Sequence, residues 1–142
     1  MIDPIEAVLA LLRADAQLAA LTGGRIASKQ NYGRGRGQWE AGQVGLVVRP
    51  DGGLPDLDVP VQPLRLEADI YAPTQPQAVA VWLRLVALSR AVVRRVMTTT
   101  QGAALVYWLH QASGLSLLHD RDLGMELALG FFEAQVAEEV VT

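Results

Sequence analysis

Residues 64 to 71, Leu-Arg-Leu-Glu-Ala-Asp-Ile-Tyr, alternate apolar and charged side chains. On an extended chain successive side chains point to opposite faces. Leu64, Leu66, Ala68 and Ile70 therefore face one way, and Arg65, Glu67 and Asp69 the other. Such a segment is a half-buried strand, and the sheet that contains it needs one covered face and one solvated face.

The rest of the chain supplies the cover. Asp3-Pro4-Ile5-Glu6 is a helix start: Asp3 caps, Pro4 suits the first helical position, and Glu6 stands three residues after the cap. Ile5, Val8, Leu9, Leu12, Ala16 and Ala19 then fall on one helical face, and Thr22-Gly23-Gly24 is a stop. One helix is expected over residues 3 to 21. A second is expected from about Thr74 to Met97, with Arg84, Arg90, Arg94 and Arg95 on its polar side. Its apolar arc includes Val79, Val81, Trp82, Leu85, Val86, Leu88, Val92, Val93 and Val96, wider than one core contact needs. Part of this helix is expected on the sheet and part, Leu88 included, against a neighbouring subunit.

Short strands are expected at Arg25 to Lys29 and Gly45 to Arg49. Residues 30–43 are expected as a flexible loop, and a second loop, 50–63, is kept extended by Pro55, Pro60 and Pro63. Thr98 to Gly102 is expected as a connector, Ala104 to Gln111 as a strand rich in β-formers, Ala112 to Gly124 as a loop or ragged hairpin connection, and Glu126 to Val136 as a last long strand. The expected architecture is a single α+β domain over residues 1–142. Its sheet is mostly antiparallel, about four to five strands packed by two helices, in the order α-β-β-β-α-β-β.

Composition narrows what such a domain does. Of the 142 residues, 51% are apolar and only 19% charged, below the usual quarter. A monomer of this size has difficulty hiding that much apolar surface, so association with copies of itself or with partners is expected. The absence of cysteine excludes a disulfide framework and a thiolate metal site. A net charge of −3 predicts no strong overall pull towards nucleic acid. No apolar run reaches the roughly 18 residues that would span a bilayer. Met1-Ile2-Asp3-Pro4 lacks the cationic start of a signal peptide, so a soluble protein made in the cytoplasm is expected.

Candidate chemistry is sparse. His110, His119, Asp120 and Asp122 offer few converging ligands, and Asp120-Arg121-Asp122 is more simply a polar turn. Ser28, Ser89, Ser113 and Ser116 sit in no nucleophile elbow. Gly33-Arg34-Gly35-Arg36-Gly37 lacks the Gly-Lys-Ser/Thr ending of a P-loop and is followed by no helix pattern. With Tyr32 and Trp39 beside it, the Gly/Arg loop resembles binders of single strands or nucleic-acid backbone, although the rest of the chain is acidic. Partner contact through Arg34, Arg36 and Trp39 is the favoured expectation. For Arg84, Arg90, Arg94 and Arg95 the choices are a solvated face or an intersubunit salt-bridge set. No catalytic, metal-binding or cofactor-binding residue is assigned.

The order of these pieces resembles the tail terminator, or tail completion, proteins of long-tailed bacteriophages and gene transfer agents. Three segments carry the resemblance: Leu11 to Ile26 leading into a strand and a variable loop; Arg65 to Ala72 followed at once by an Ala-rich helix; and the Asp120-Arg121-Asp122-Leu123-Gly124 turn before a last strand. The resemblance implies a structural, non-enzymatic role in the virion, at the head–tail junction, in a homo-oligomeric ring, a hexamer in this family. That ring stops growth of the tail tube and meets the head-side connector or stopper protein, while DNA passes through its lumen without sequence-specific binding. The partners it implies are the tail tube protein and the connector, with no membrane. Three alternatives stay open: a head–tail connector or stopper, a nucleic-acid-binding module using the Gly/Arg loop, and a small enzyme built on His110, His119, Asp120 and Asp122.

Overall fold

The computed structural model describes residues 3–51 and 61–138. Within them the chain forms three helices and seven strands: α1 (Pro4–Arg13), α2 (Ala16–Thr22), β1 (Ile26–Ala27), β2 (Gly45–Pro50), β3 (Val61–Ala72), α3 (Gln75–Ala91), β4 (Arg95–Thr99), β5 (Gly102–Gln111), β6 (Ser116–Asp120) and β7 (Met125–Glu138). The class is α+β as expected, with more strands and a different order. The sheet runs β1-β2-β3-β7-β5-β4, and β6 pairs with β7 off that path. Every pairing is antiparallel except β1 with β2.

Asp15 cuts the expected N-terminal helix in two. Its backbone is extended, and its carboxylate accepts the N–H of Leu18 at 2.9 Å, capping α2. Short acidic side chains favour this local bond over continuing a helix. Leu18, not Ala16 or Ala19, consequently turns inward. At the other end of α2, Gly23 closes the helix in the left-handed conformation, φ 62°, as the Gly-Gly stop predicts.

The second expected helix is also too long. α3 ends at Ala91, and Arg94 turns the chain with φ 48°. Residues 95 to 99 then pair with β5, from Arg95 opposite Val106 to Thr99 opposite Gly102. Val96, Thr98 and Thr99 are β-branched, and β5 offers an open edge, so the ladder wins over helical periodicity. The expected connector Thr98 to Gly102 is the end of β4 and a tight hairpin. The expected loop Ala112 to Gly124 contains β6. Of the expected loop 50–63, residues 52–60 lie outside the described residues, and residues 61–63 begin β3.

β7 is the middle of the sheet. One edge pairs with β3 from Val61 opposite Ala137 to Ala72 opposite Glu126. Its other edge is shared: β5 takes the C-terminal half and β6 the N-terminal half. β5 and β6 are thus one long strand interrupted at residues 112–115. Ser113 staples that interruption, its hydroxyl oxygen accepting the N–H of Phe131 at 2.9 Å.

α1 and α3 cover one face. Leu64, Leu66, Ala68 and Ile70 of β3 point into that core, as their alternation requires, with Val8, Leu12, Trp82 and Leu85 above them. Small residues, Ala68, Ala128, Gly130 and Ala134, leave a trough in which the Trp82 ring lies, 5.0 Å from the Phe132 ring. A β-carbon on Gly130 would run into the Trp82 ring. Neither a buried indole nor a central strand gives way easily. Gly130→Ala is therefore expected to destabilise by about 1–3 kcal/mol through overpacking. Denaturant unfolding checks this, and an unchanged midpoint would mean that Trp82 does not sit on the strand.

Candidate interaction surfaces

Residues 30–43, expected as a flexible loop, form a folded tongue. The N–H of Trp39 donates to the carbonyl of Asn31 at 2.8 Å, and the N–H of Gly33 to the carbonyl of Trp39 at 3.0 Å. At the tip the side chain of Gln38 accepts the N–H of Gly35 at 2.6 Å. The root lies on the sheet face opposite the helices. There Tyr32, Val47, Tyr71 and Met125 make a second small core, with Trp39, Leu123 and Leu127 packed against it. Tyr32 meets Trp39 edge to face at 5.3 Å, and its hydroxyl donates to the carbonyl of Gln43 at 2.6 Å. Burial pushes the Tyr32 phenol well above its ordinary pKa. Gly45 admits the two rings: a β-carbon there would stand 2.6 Å from the Tyr32 oxygen and 2.9 Å from the Trp39 ring.

Trp39 is therefore an anchor of the tongue and does not project as a stacking platform. Arg34 and Arg36 do project, both exposed at the tip. They line an open cleft of about 710 Å³ with Glu40, Asp122 and Leu123. Acids on its walls make this a mixed-charge surface, unlike the uniformly cationic groove that tracks a nucleic-acid backbone.

The arginines of the second expected helix divide into two groups. Arg84 is engaged within the chain: its guanidinium grips Asp15 through two bonds of 2.6 and 2.8 Å, joining α3 to α2. The same pairing holds the Asp15 carboxyl below its usual range. Leu88, expected on a partner-facing flank, is 3% exposed and belongs to the core. The apolar stripe of α3 is narrower than the sequence pattern, because Val92, Val93 and Val96 lie beyond the end of the helix. Arg90, Arg94 and Arg95 gather at the α3–β4 corner and are exposed. Among the described residues none of the three has a carboxylate within ion-pair distance.

His110 and His119 are not brought together. His110 stands opposite Glu133 and His119 opposite Glu126, so they are seven residues apart along β7. At strand rise that is roughly 23 Å. His119 Nδ1 lies 3.3 Å from Glu126. His110 stacks on Trp108 at 4.4 Å, and Trp108 donates its indole N–H to Gln135 at 2.8 Å. Nothing in the sequence pattern announces that stack. Residues 108 and 110 share a face as any i, i+2 pair on a strand does, and a bulge between Val106 and Trp108 turns that face away from the core. The site imagined from His110, His119, Asp120 and Asp122 is not assembled, and among the described residues no three metal-binding side chains converge.

The solvated face expected of Arg65, Glu67 and Asp69 holds for the first two only. Asp69 is 3% exposed. One of its oxygens meets Arg49 at 2.8 Å, and the other has no partner among the described residues. Burial, and then the nearby Glu67, push its carboxyl up to about 6, against which Arg49 pulls only in part. A folded-state pKa above the unfolded one stabilises at low pH and loses that stabilisation as pH rises. The window runs from the ordinary value, 3.8, to about 6. Asp69→Asn should remove this loss, so its melting temperature relative to wild type should climb across the window and level off above it. Melting curves that stay parallel across the window would refute the assignment.

No family model matches the sequence, and no curated protein does. Similar solved structures exist. One is a chain of "Virion of native gene transfer agent (GTA) particle", 21% identical, with a TM-score of 0.59 over 93% of this chain and 92% of that one. Another is 11% identical, with a TM-score of 0.50 over the full length of both. At these identities the likeness is one of fold.

Proposed function

We propose that this chain is a structural protein of a tailed-phage-type particle, a tail terminator that forms a ring, a hexamer, on the end of the tail tube. The observation that carries the proposal is the end-to-end likeness of fold to a chain of a gene transfer agent virion. The surfaces agree with it. Among the described residues the chain exposes an arginine-bearing tongue tip beside Glu40 and Asp122, a cationic corner and open strand edges, and these are contacts for other proteins. Its place is then the virion, at the head–tail junction, after synthesis in the host cytoplasm. Its partners are other copies of itself, the tail tube protein and the head-side connector, and DNA crosses the lumen unread.

Within this proposal the tongue tip serves an axial contact, because Arg34 and Arg36 stand clear of the domain while Tyr32 and Trp39 fix its root. The protein should form rings by negative-stain microscopy, alone or on purified tubes, with a matching mass by light scattering. Rings that bind portal complexes and ignore tubes would favour the connector or stopper reading. Salt-sensitive DNA binding without rings would favour the nucleic-acid reading. Arg34→Glu with Arg36→Glu should impair joining of heads to tails and leave the circular dichroism spectrum unchanged. Undiminished joining would remove the tongue from that role.

A further inference from the structure

Charge is segregated along this chain. From Ile70 to His119 there is no carboxylate, and the four arginines of that stretch are Arg84, Arg90, Arg94 and Arg95. From residue 120 onward stand Asp120, Asp122, Glu126, Glu133, Glu138 and Glu139 against Arg121 alone. The fold places Arg90, Arg94 and Arg95 at one open edge and Asp120 and Asp122 beside another, while Glu126 and Glu133 lie on the central β7.

One edge is the α3–β4 corner. β4 pairs with β5 on one side, and no described strand pairs with its other side. Val93 is 73% exposed and Val96 50%, set among Arg90, Arg94 and Arg95. The other edge is β6, which among the described strands pairs only with β7. Leu117 and Leu118 are consecutive, so they point to opposite faces, yet both are about half exposed, at 46% and 50%. Asp120 and Asp122 follow after His119, with Arg121 between them, and Asp122 also lines the tongue cleft with Arg34 and Arg36. A two-sided apolar strand bordered by acid stands opposite in charge to a basic corner with two exposed valines.

We infer that these surfaces are partners between copies: the corner of one chain receives β6 of the next. They cannot meet within one chain. Val96 lies level with Ala137 of β7 through Leu105, whereas Leu118 lies opposite Leu127. Ten residues of strand, roughly 33 Å, separate those levels. A contact between two different patches is head-to-tail, and such contacts close into rings when the rotation allows. The apolar side chains supply area, and the unlike charges orient the approach and reject corner-on-corner pairing. This inference rests on the ring proposed above and assigns its contact.

The chain contains no cysteine, so engineered thiols report without background. Val96→Cys and Leu118→Cys proteins, mixed under mild oxidation, should give far more disulfide dimer than either alone. They should also exceed mixtures in which Leu83→Cys, 61% exposed on α3, replaces either one. The yield should fall several-fold in raised salt or when Arg90→Glu and Arg95→Glu are added to the corner, and recover in part when Asp122→Arg is added to its partner. Dichroism of each variant verifies folding. Dimer no more abundant than with Leu83→Cys overturns the pairing. If the wild-type protein still forms rings, alone or on purified tubes, only the contact assignment falls; if it forms none in either setting, the ring falls with it.

Discussion

The double ladder of β7 is the constraint on which the other elements depend. A strand of 14 residues with partners along both edges has no side left for solvent except its two faces. One face is given to the helices. The other is divided between the tongue at one end and an open surface at the other, where Arg65 lies 5.0 Å over the Phe131 ring and Trp108 stacks on His110. Because β7 is continuous while its neighbour breaks into β5 and β6, two separate strands line that one edge, and the break between them falls at the short segment around Ser113.

The core follows from the same strand. Ala128, Gly130 and Ala134 keep one face of β7 shallow, and the indole of Trp82 fills the space they leave. Large and small side chains are thus matched across the layers, as dense packing demands. The helix layer then adopts the spacing that this single ring sets. Arg84 and Asp15 tie α2 onto α3 beside it, so the short second helix is held by an ion pair as much as by its one fully buried leucine.

Much of this fold is legible in the residues. Alternation from Leu64 to Ile70 assigns the faces of β3, and the caps at Asp3 and Gly23 mark where helical structure begins and ends. What misleads is any signal with two local solutions. Asp15 within an apolar helical pattern can ride along or cap a new helix, and its local bond to Leu18 is joined by the partner Arg84, 69 positions away, in favouring the second. Val92 to Thr99 fits a helical wheel and a strand equally well, and the free edge of β5 decides. Of the expected contact residues, Leu88 is in the core, Arg84 is paired, and Trp39 anchors the tongue, whereas Arg34, Arg36, Arg90, Arg94 and Arg95 remain at the surface. A one-dimensional pattern identifies charged residues that must be outside. It does not say which of them a distant carboxylate has already claimed.

The tongue separates anchoring from contact. Tyr32 and Trp39 fix its position, the buried Tyr32 ring and the partly buried Trp39 ring packing against Gly45 and Tyr71, while the five residues between Tyr32 and Gln38 are held by Asn31, Gln38 and Trp39 of the tongue itself. Substitutions at the tip therefore leave the root untouched, and those at the root move the whole tip. Such a division would let the tip vary in sequence while the scaffold stays under purifying constraint. The same two rings mark the boundary within which one tip could be exchanged for another.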